Sequence, residues 1–190
     1  MNPDDPEFLD GKVLIAMPGM GDPRFERAVI LLCAHSDEGA MGLIVNKPAT
    51  ELRFRDLLRQ LDIEPSGDAA SIRVHFGGPV EHGRGFVLHS PDYTVEGSSL
   101  QIGPDFSMTA TLDVLQDMAK GTGPEQALLA LGYSGWGPGQ LEGEIQSNGW
   151  LTAPADSALI FGVSDDDKWR AALRSINIDP ELLSASGGRA

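Results

Sequence analysis

One cysteine, Cys33, in 190 residues excludes an intrachain disulfide. Its place inside an apolar run predicts a buried, poorly nucleophilic thiol with a raised pKa. Basic residues are also scarce. Fourteen Lys and Arg face 28 Asp and Glu, giving a formal charge of −14 whose field repels a phosphate backbone. No Lys/Arg cluster, zinc-finger spacing or helix-turn-helix pattern supplies a local exception, so direct contact with nucleic acid is not expected. The strongest basic run, Arg53, Arg55 and Arg59, is interleaved with Glu51, Asp56 and Asp62 and reads as a mixed-charge helix face. No apolar stretch approaches the ~18 to 20 residues that span a bilayer, so no membrane partner is expected. The opening Met1-Asn2-Pro3-Asp4-Asp5-Pro6-Glu7 lacks the basic and apolar regions of a secretory signal, which sets a cytoplasmic expectation. Repeats, low-complexity tracts and dividing linkers are missing too. One domain is expected over residues 1–183, with 184–190 as a mobile tail.

What is there is a strand-rich chain. Residues 12–16 read as a buried strand, and Pro18-Gly19-Met20-Gly21-Asp22-Pro23 supplies turn chemistry after it. Residues 27–34 and 41–45 predict a hairpin, because Val, Ile and Leu runs without alternation belong to sheets covered on both faces. Helical spacing of Phe54, Leu57, Leu58 and Leu61 predicts a covering helix, and residues 72–76 and 85–89 read as strands joined by a glycine-rich segment. A helix over 109–120 is stopped by Gly121, and Gly123-Pro124 predicts a second helix reaching Leu131. Residues 141–145 and 157–162 read as late strands. Ser164 caps a final helix with Asp165, Asp166 and Asp167 in its first turn and Trp169, Ala172, Leu173 and Ile176 on its buried face. The elements do not alternate regularly, which favours an α+β fold over a doubly wound sheet.

Three segments carry a resemblance: LIAMPGMGDPRFERAVILLCAHSDEGAMGLIVNKP over 14–48, HFGGPVEHGRGFVLH over 75–89 and GYSGWGPGQLEGEIQSNGWL over 132–151. In content, order and spacing they resemble the YqgE/AlgH family. The resemblance implies a single α+β domain with a branched, partly barrel-like sheet surrounded by helices. It implies bacterial proteins of no assigned activity, whose label as transcriptional regulators comes from an association of AlgH with alginate production.

Each chemistry-bearing residue also has a structural role open to it. Gly132-Tyr133-Ser134-Gly135-Trp136 resembles a hydrolase elbow, but Trp stands where the last glycine is needed and no His follows Ser134, so a turn is the better account. His75, His82 and His89 recur every seven residues, a spacing unlike that of paired zinc ligands, and read as structural or surface histidines. Neither Pro18-Gly19-Met20-Gly21 nor Gly77-Gly78-Pro79 is a phosphate or dinucleotide loop, so no cofactor is expected. If residues 140–145 are extended, Gln140, Glu142 and Glu144 share one face, beside Trp136, Asn148 and Trp150. Polar, aromatic and glycine-permitted residues thus predict a ligand groove of Met17, Gly19, Asp22, His75, Gly77, Gly78, Trp136, Gln140, Glu142, Glu144, Asn148 and Trp150. The expected function is regulation or binding, with a protein or small-molecule partner. The alternative is a hydrolase or metal-assisted acid–base enzyme using Glu142, Glu144 and His75.

Overall fold

A computed structural model describes residues 7–65 and 72–186. Nine strands form one sheet: β1 (Lys12–Ala16), β2 (Val29–Ser36), β3 (Gly39–Ile44), β4 (Val74–Phe76), β5 (Val80–His89), β6 (Ser99–Ile102), β7 (Phe106–Thr109), β8 (Ala127–Trp136) and β9 (Trp150–Pro154). Their order is β6-β7-β5-β8-β3-β2-β1-β9, with β4 paired to β8 outside that path. All pairings are antiparallel except β4 with β8. The sheet curls into a half-barrel within one compact α+β domain. Helices α1 (Phe54–Gln60), α2 (Leu112–Lys120), α3 (Gln140–Gln146), α4 (Asp165–Ser175) and α5 (Pro180–Ser186) surround it.

The unalternated apolar runs are explained by burial on both faces. Val13, Ile15, Val29, Leu31 and Leu43 pack towards Trp169, Ala172 and Leu173 of α4. Their neighbours Leu14, Ile30, Leu32 and Ile44 pack on the other side with Leu141 of α3, Trp136 and Trp150. A third cluster joins Phe54 and Leu58 of α1 and Val114, Leu115 and Met118 of α2 to Val74, Val87 and Leu129. Cys33 is buried in the first cluster, and desolvation pushes its thiol up to about 12. Iodoacetamide should therefore label Cys33 only at the rate of unfolding; labelling of native protein as fast as a free thiol would contradict this burial.

Strand β8 is the branch point. One of its edges pairs with β4 at Leu129–Leu131 and with β3 at Ser134–Trp136, while β5 takes the other edge. The chain leaving β4 must consequently cross β8 before it can enter β5. It does so at Gly77 and Gly78, directly against Gly132 and Tyr133. A Cβ on Gly77 would collide with the carbonyl of Gly132, and one on Gly78 with the carbonyl of Tyr133. The glycine pair read as a possible groove lining is what lets two backbones cross.

Several sequence expectations are corrected. Of the helix expected over 124–131, residues 127–131 lie in strand β8. Leu128 and Ala130 face the α4 cluster while Leu129 and Leu131 face the α1/α2 cluster, so a short apolar run was a strand buried on both faces. The strand expected over 141–145 is helix α3, whose only fully buried residue is Leu141. The strand expected over 157–162 is a π-helical turn, Ala158–Gly162, begun where the Leu159 amide donates to Asp156 Oδ1. Helix α2 starts at Leu112 instead of 109, because Phe106–Thr109 pairs with β5 and β6 as β7. Strands β6 and β9 and helix α5 were not anticipated. Of the expected tail, residues 184–186 continue α5 and residues 187–190 lie outside the described residues.

Candidate functional site

The Met17–Arg27 loop leaves the end of β1 and folds beside α4. The Met17 amide donates to the Gly149 carbonyl, and Trp169 Nε1 donates to the Ala16 carbonyl at 2.9 Å. Asp22 accepts from the guanidinium and then the backbone of Arg24, which hold the pKa of its carboxyl below the usual range, and caps the short turn Pro23–Phe25. Arg27 is left-handed, with φ 53, and its carbonyl accepts from Asn46 Nδ2. Lys47 Nζ donates to the Glu26 carbonyl, and burial lowers the pKa of that amine. A pocket of about 390 Å³ results, lined by Met17, Gly19, Met20, Asp22, Glu26, Arg27 and Trp169. The Arg27 guanidinium lies 5.2 Å from the ring centre of Trp169. Strain held at a non-glycine left-handed residue beside a cavity is a recurrent property of ligand sites.

Helix α3 disperses the three polar residues expected on one strand face. Gln140 accepts from the Gly137 amide and closes the turn before the helix. Glu142 meets His35 Nε2 at 2.5 Å. His35 Nδ1 accepts from the Leu9 amide, so the neutral ring must carry its proton on Nε2 and donate it to Glu142. The Glu142 carboxyl is lowered by its own backbone amide and then by His35. Glu144 Oε1 accepts from Trp150 Nε1 at 3.5 Å. Trp150 packs edge-on against both Trp136 and Phe25, which ties this group to the Met17–Arg27 loop. Asn148 is exposed in a left-handed turn between α3 and β9.

His75 belongs to a separate group under the start of α4. Its Nε2 lies 3.0 Å from both oxygens of Asp165 and donates to that carboxylate. Lys168 Nζ donates to Asp165 Oδ1 at 3.0 Å and to the Val45 carbonyl at 2.7 Å. Burial would raise Asp165, but the hydrogen bond and charge of His75 and those of Lys168 outweigh it and hold the carboxyl at about 2. Burial lowers the Lys168 pKa against the opposing pull of Asp165. Ser164 stands at the N-cap as expected, although its hydroxyl donates to Asp167 instead of accepting a backbone N–H.

The other candidates resolve simply. Ser134 is buried and donates to the Gly77 carbonyl across the chain crossing. His82 is exposed and stacks on Phe76. His89 is buried, and desolvation lowers its pKa. Its Nδ1 donates to the Ser90 carbonyl and its Nε2 accepts from Thr109, a role in holding β5 to β7. Among the described residues, no group of three His, Cys, Asp or Glu could hold a metal ion. Glu142, Glu144 and His75 each have a different partner, so the geometry gives the hydrolase alternative no support. No described helix is long and apolar enough to cross a membrane.

Sequence reasoning missed His35, Asp165 and Lys168. A signal existed for the last two: Asp165, Lys168, Trp169 and Ala172 follow helical i, i+3, i+4, i+7 spacing, which places a charged pair on the buried stripe of α4.

The AlgH-like family model matches residues 13–181. A UPF0301 protein of Ruegeria pomeroyi is 63% identical over 184 residues, covering 96% of this chain and 99% of its own. One of Cereibacter sphaeroides is 57% identical over 182 residues, with 96% and 99% covered. The solution structure of the AlgH protein from Pseudomonas aeruginosa is similar at a TM-score of 0.78, with 40% identity and all of both chains covered. A crystal structure of a protein from Corynebacterium diphtheriae, 21% identical, shares the fold at a TM-score of 0.72, covering all of this chain and 95% of its own. The chain belongs to the AlgH-like UPF0301 family, also known as YqgE/AlgH.

Proposed function

We propose that the protein is a cytoplasmic, non-enzymatic regulatory or binding protein, and that its ligand is a small polar molecule seated in the Met17–Arg27 pocket. The carrying observation is the construction of that pocket. Its volume of about 390 Å³ suits a metabolite, Trp169 and the methionines provide apolar walls, and Asp22, Glu26 and Arg27 supply charge of both signs. The loop is pinned from several sides, so a ligand would meet a preformed site and lose little to ordering. Regulation of transcription would then pass through this ligand or a protein partner, since a chain of formal charge −14 is poorly suited to DNA.

Thermal denaturation against nucleotides and small metabolites tests the reading. A ligand at 100 times its dissociation constant should add about 2.7 kcal/mol of stability. Arg27→Gly removes the guanidinium while favouring the left-handed backbone, and it should abolish the gain. A gain that survives Arg27→Gly places the ligand elsewhere. Sequence-specific retention on DNA at physiological salt would contradict the indirect route.

A further inference from the structure

We infer that the cavity between β4, β8 and the start of α4 is a second site, one that binds a small oxyanion, either the carboxylate or the phosphoryl group of a small molecule. It encloses about 160 Å³ and is lined by Arg73, His75 and Lys168 with apolar walls from Leu128, Ile160 and Val163. This is room for several waters, each of which occupies about 30 Å³ in the liquid, or for one compact anion.

Charge sets this cavity apart. The chain is strongly acidic, yet among the described residues the only formally charged groups lining this cavity are two cations. Asp165 is not among the lining residues; its carboxylate pairs with His75 and Lys168 at 3.0 Å and with Arg73 at 3.9 Å. That carboxylate makes it possible to keep Lys168, whose side chain is 3% exposed, charged in the interior.

Donor accounting points the same way. An ammonium has three N–H donors, and Lys168 spends two, on Val45 and Asp165. Arg73 forms a long ion pair with Asp165 at 3.9 Å, beyond a hydrogen bond, so its guanidinium, 63% exposed, still has N–H donors to offer. His75 is buried and its Nδ1 has no hydrogen-bond partner among the described residues, while Nε2 is fixed on Asp165. A buried imidazole nitrogen left unpaired is costly, so an occupant that meets it would be favoured. With Nε2–H committed to Asp165, Nδ1 accepts from a protonated ligand oxygen, or donates to an oxyanion when the ring is charged. The three groups bring to one small space the charge and the hydrogen bonds that an oxyanion needs.

Calorimetric titration of the native chain with sodium phosphate and, separately, sodium acetate at matched ionic strength tests the site. Long-range proton–nitrogen spectra report on the His75 ring in parallel. One anion is expected to saturate at one per chain and to move the Nδ1 signal of His75; the tighter of the two identifies a phosphoryl or a carboxylate ligand. Arg73→Gln, at an exposed position, should weaken binding at least about tenfold without changing the fold. Arg27→Gly should leave this binding unchanged, so failure here and failure of the Met17–Arg27 pocket are separable. Saturation by neither anion, or binding that leaves the His75 signal in place or survives Arg73→Gln, would overturn the proposal.

Discussion

Asp165→Ala is expected to cost about 3–5 kcal/mol of stability, because it leaves a buried ammonium without its counter-charge. Asp165 is 9% exposed and accepts from both His75 and Lys168, so its removal strands two polar groups at once. Lys168→Met should be milder, since it removes the desolvated charge instead of orphaning it. The double variant Asp165→Ala, Lys168→Met should recover much of the single-variant loss, the pattern expected when an interior ion pair is replaced as a unit. Urea unfolding of the four proteins measures the cycle. The same carboxylate predicts an acid dependence. Its pKa is depressed from 3.8 to about 2 in the folded state, so its contribution is present above 3.8 and is lost as pH falls through about 2. In Asp165→Asn that part of the acid loss should vanish. A loss below about 1 kcal/mol for Asp165→Ala would place the pair among solvated surface bridges.

Gly78→Ala is expected to destabilise by at least about 3 kcal/mol, at or beyond the upper end for overpacked sites, or to prevent folding. The added methyl would meet the backbone carbonyl of Tyr133, which belongs to the strand that organises the sheet and cannot move alone. Gly83→Ala is the control. It is exposed, nothing lies within 4 Å of its would-be Cβ, and its change should stay within about 0.5 kcal/mol. Circular dichroism melts of the pair compare the two directly.

These two sites show where the sequence was legible. The β1–β2–β3 core could be read because its apolar runs, Val13–Ile15 and Val29–Leu32 among them, are buried on both faces, and only a covered sheet asks for that composition. Helix α4 could be read from its acidic first turn and from Trp169, Ala172 and Leu173. Residues 127–131 could not, because Leu128-Leu129-Ala130-Leu131 satisfies a buried strand and a buried helix equally and only pairing with β4 and β5 decides. Residues 140–146 misled in the opposite direction: alternating polar and apolar residues mimicked a strand, while the turn closed by Gln140 and the contact of Leu141 with Trp136 and Trp150 favoured a helix. Since that alternation carried the expected face, Glu142 and Glu144 parted when it fell. Asp165 was read as a charge favoured by the helix dipole, and the long-range contact with His75, 90 residues earlier, leaves no local mark. Of the expected groove, Met17, Gly19 and Asp22 line one pocket, Trp136, Glu144 and Trp150 pack together beside it, and Gly77 and Gly78 serve the crossing.

Helix α4 touches both proposed sites, since Trp169 lines one and the adjacent Lys168 lines the other. Chain-wide observation is therefore more informative than any single reporter. Amide and indole NMR spectra of the labelled protein, recorded while a stabilising metabolite is titrated in, bear most directly on its being a binding protein with a preformed pocket. Shifts centred on residues 17–27 and the Trp169 indole, with the metabolite recovered chemically unchanged, are predicted. Turnover of the metabolite, or shifts that spare that loop altogether, would contradict it.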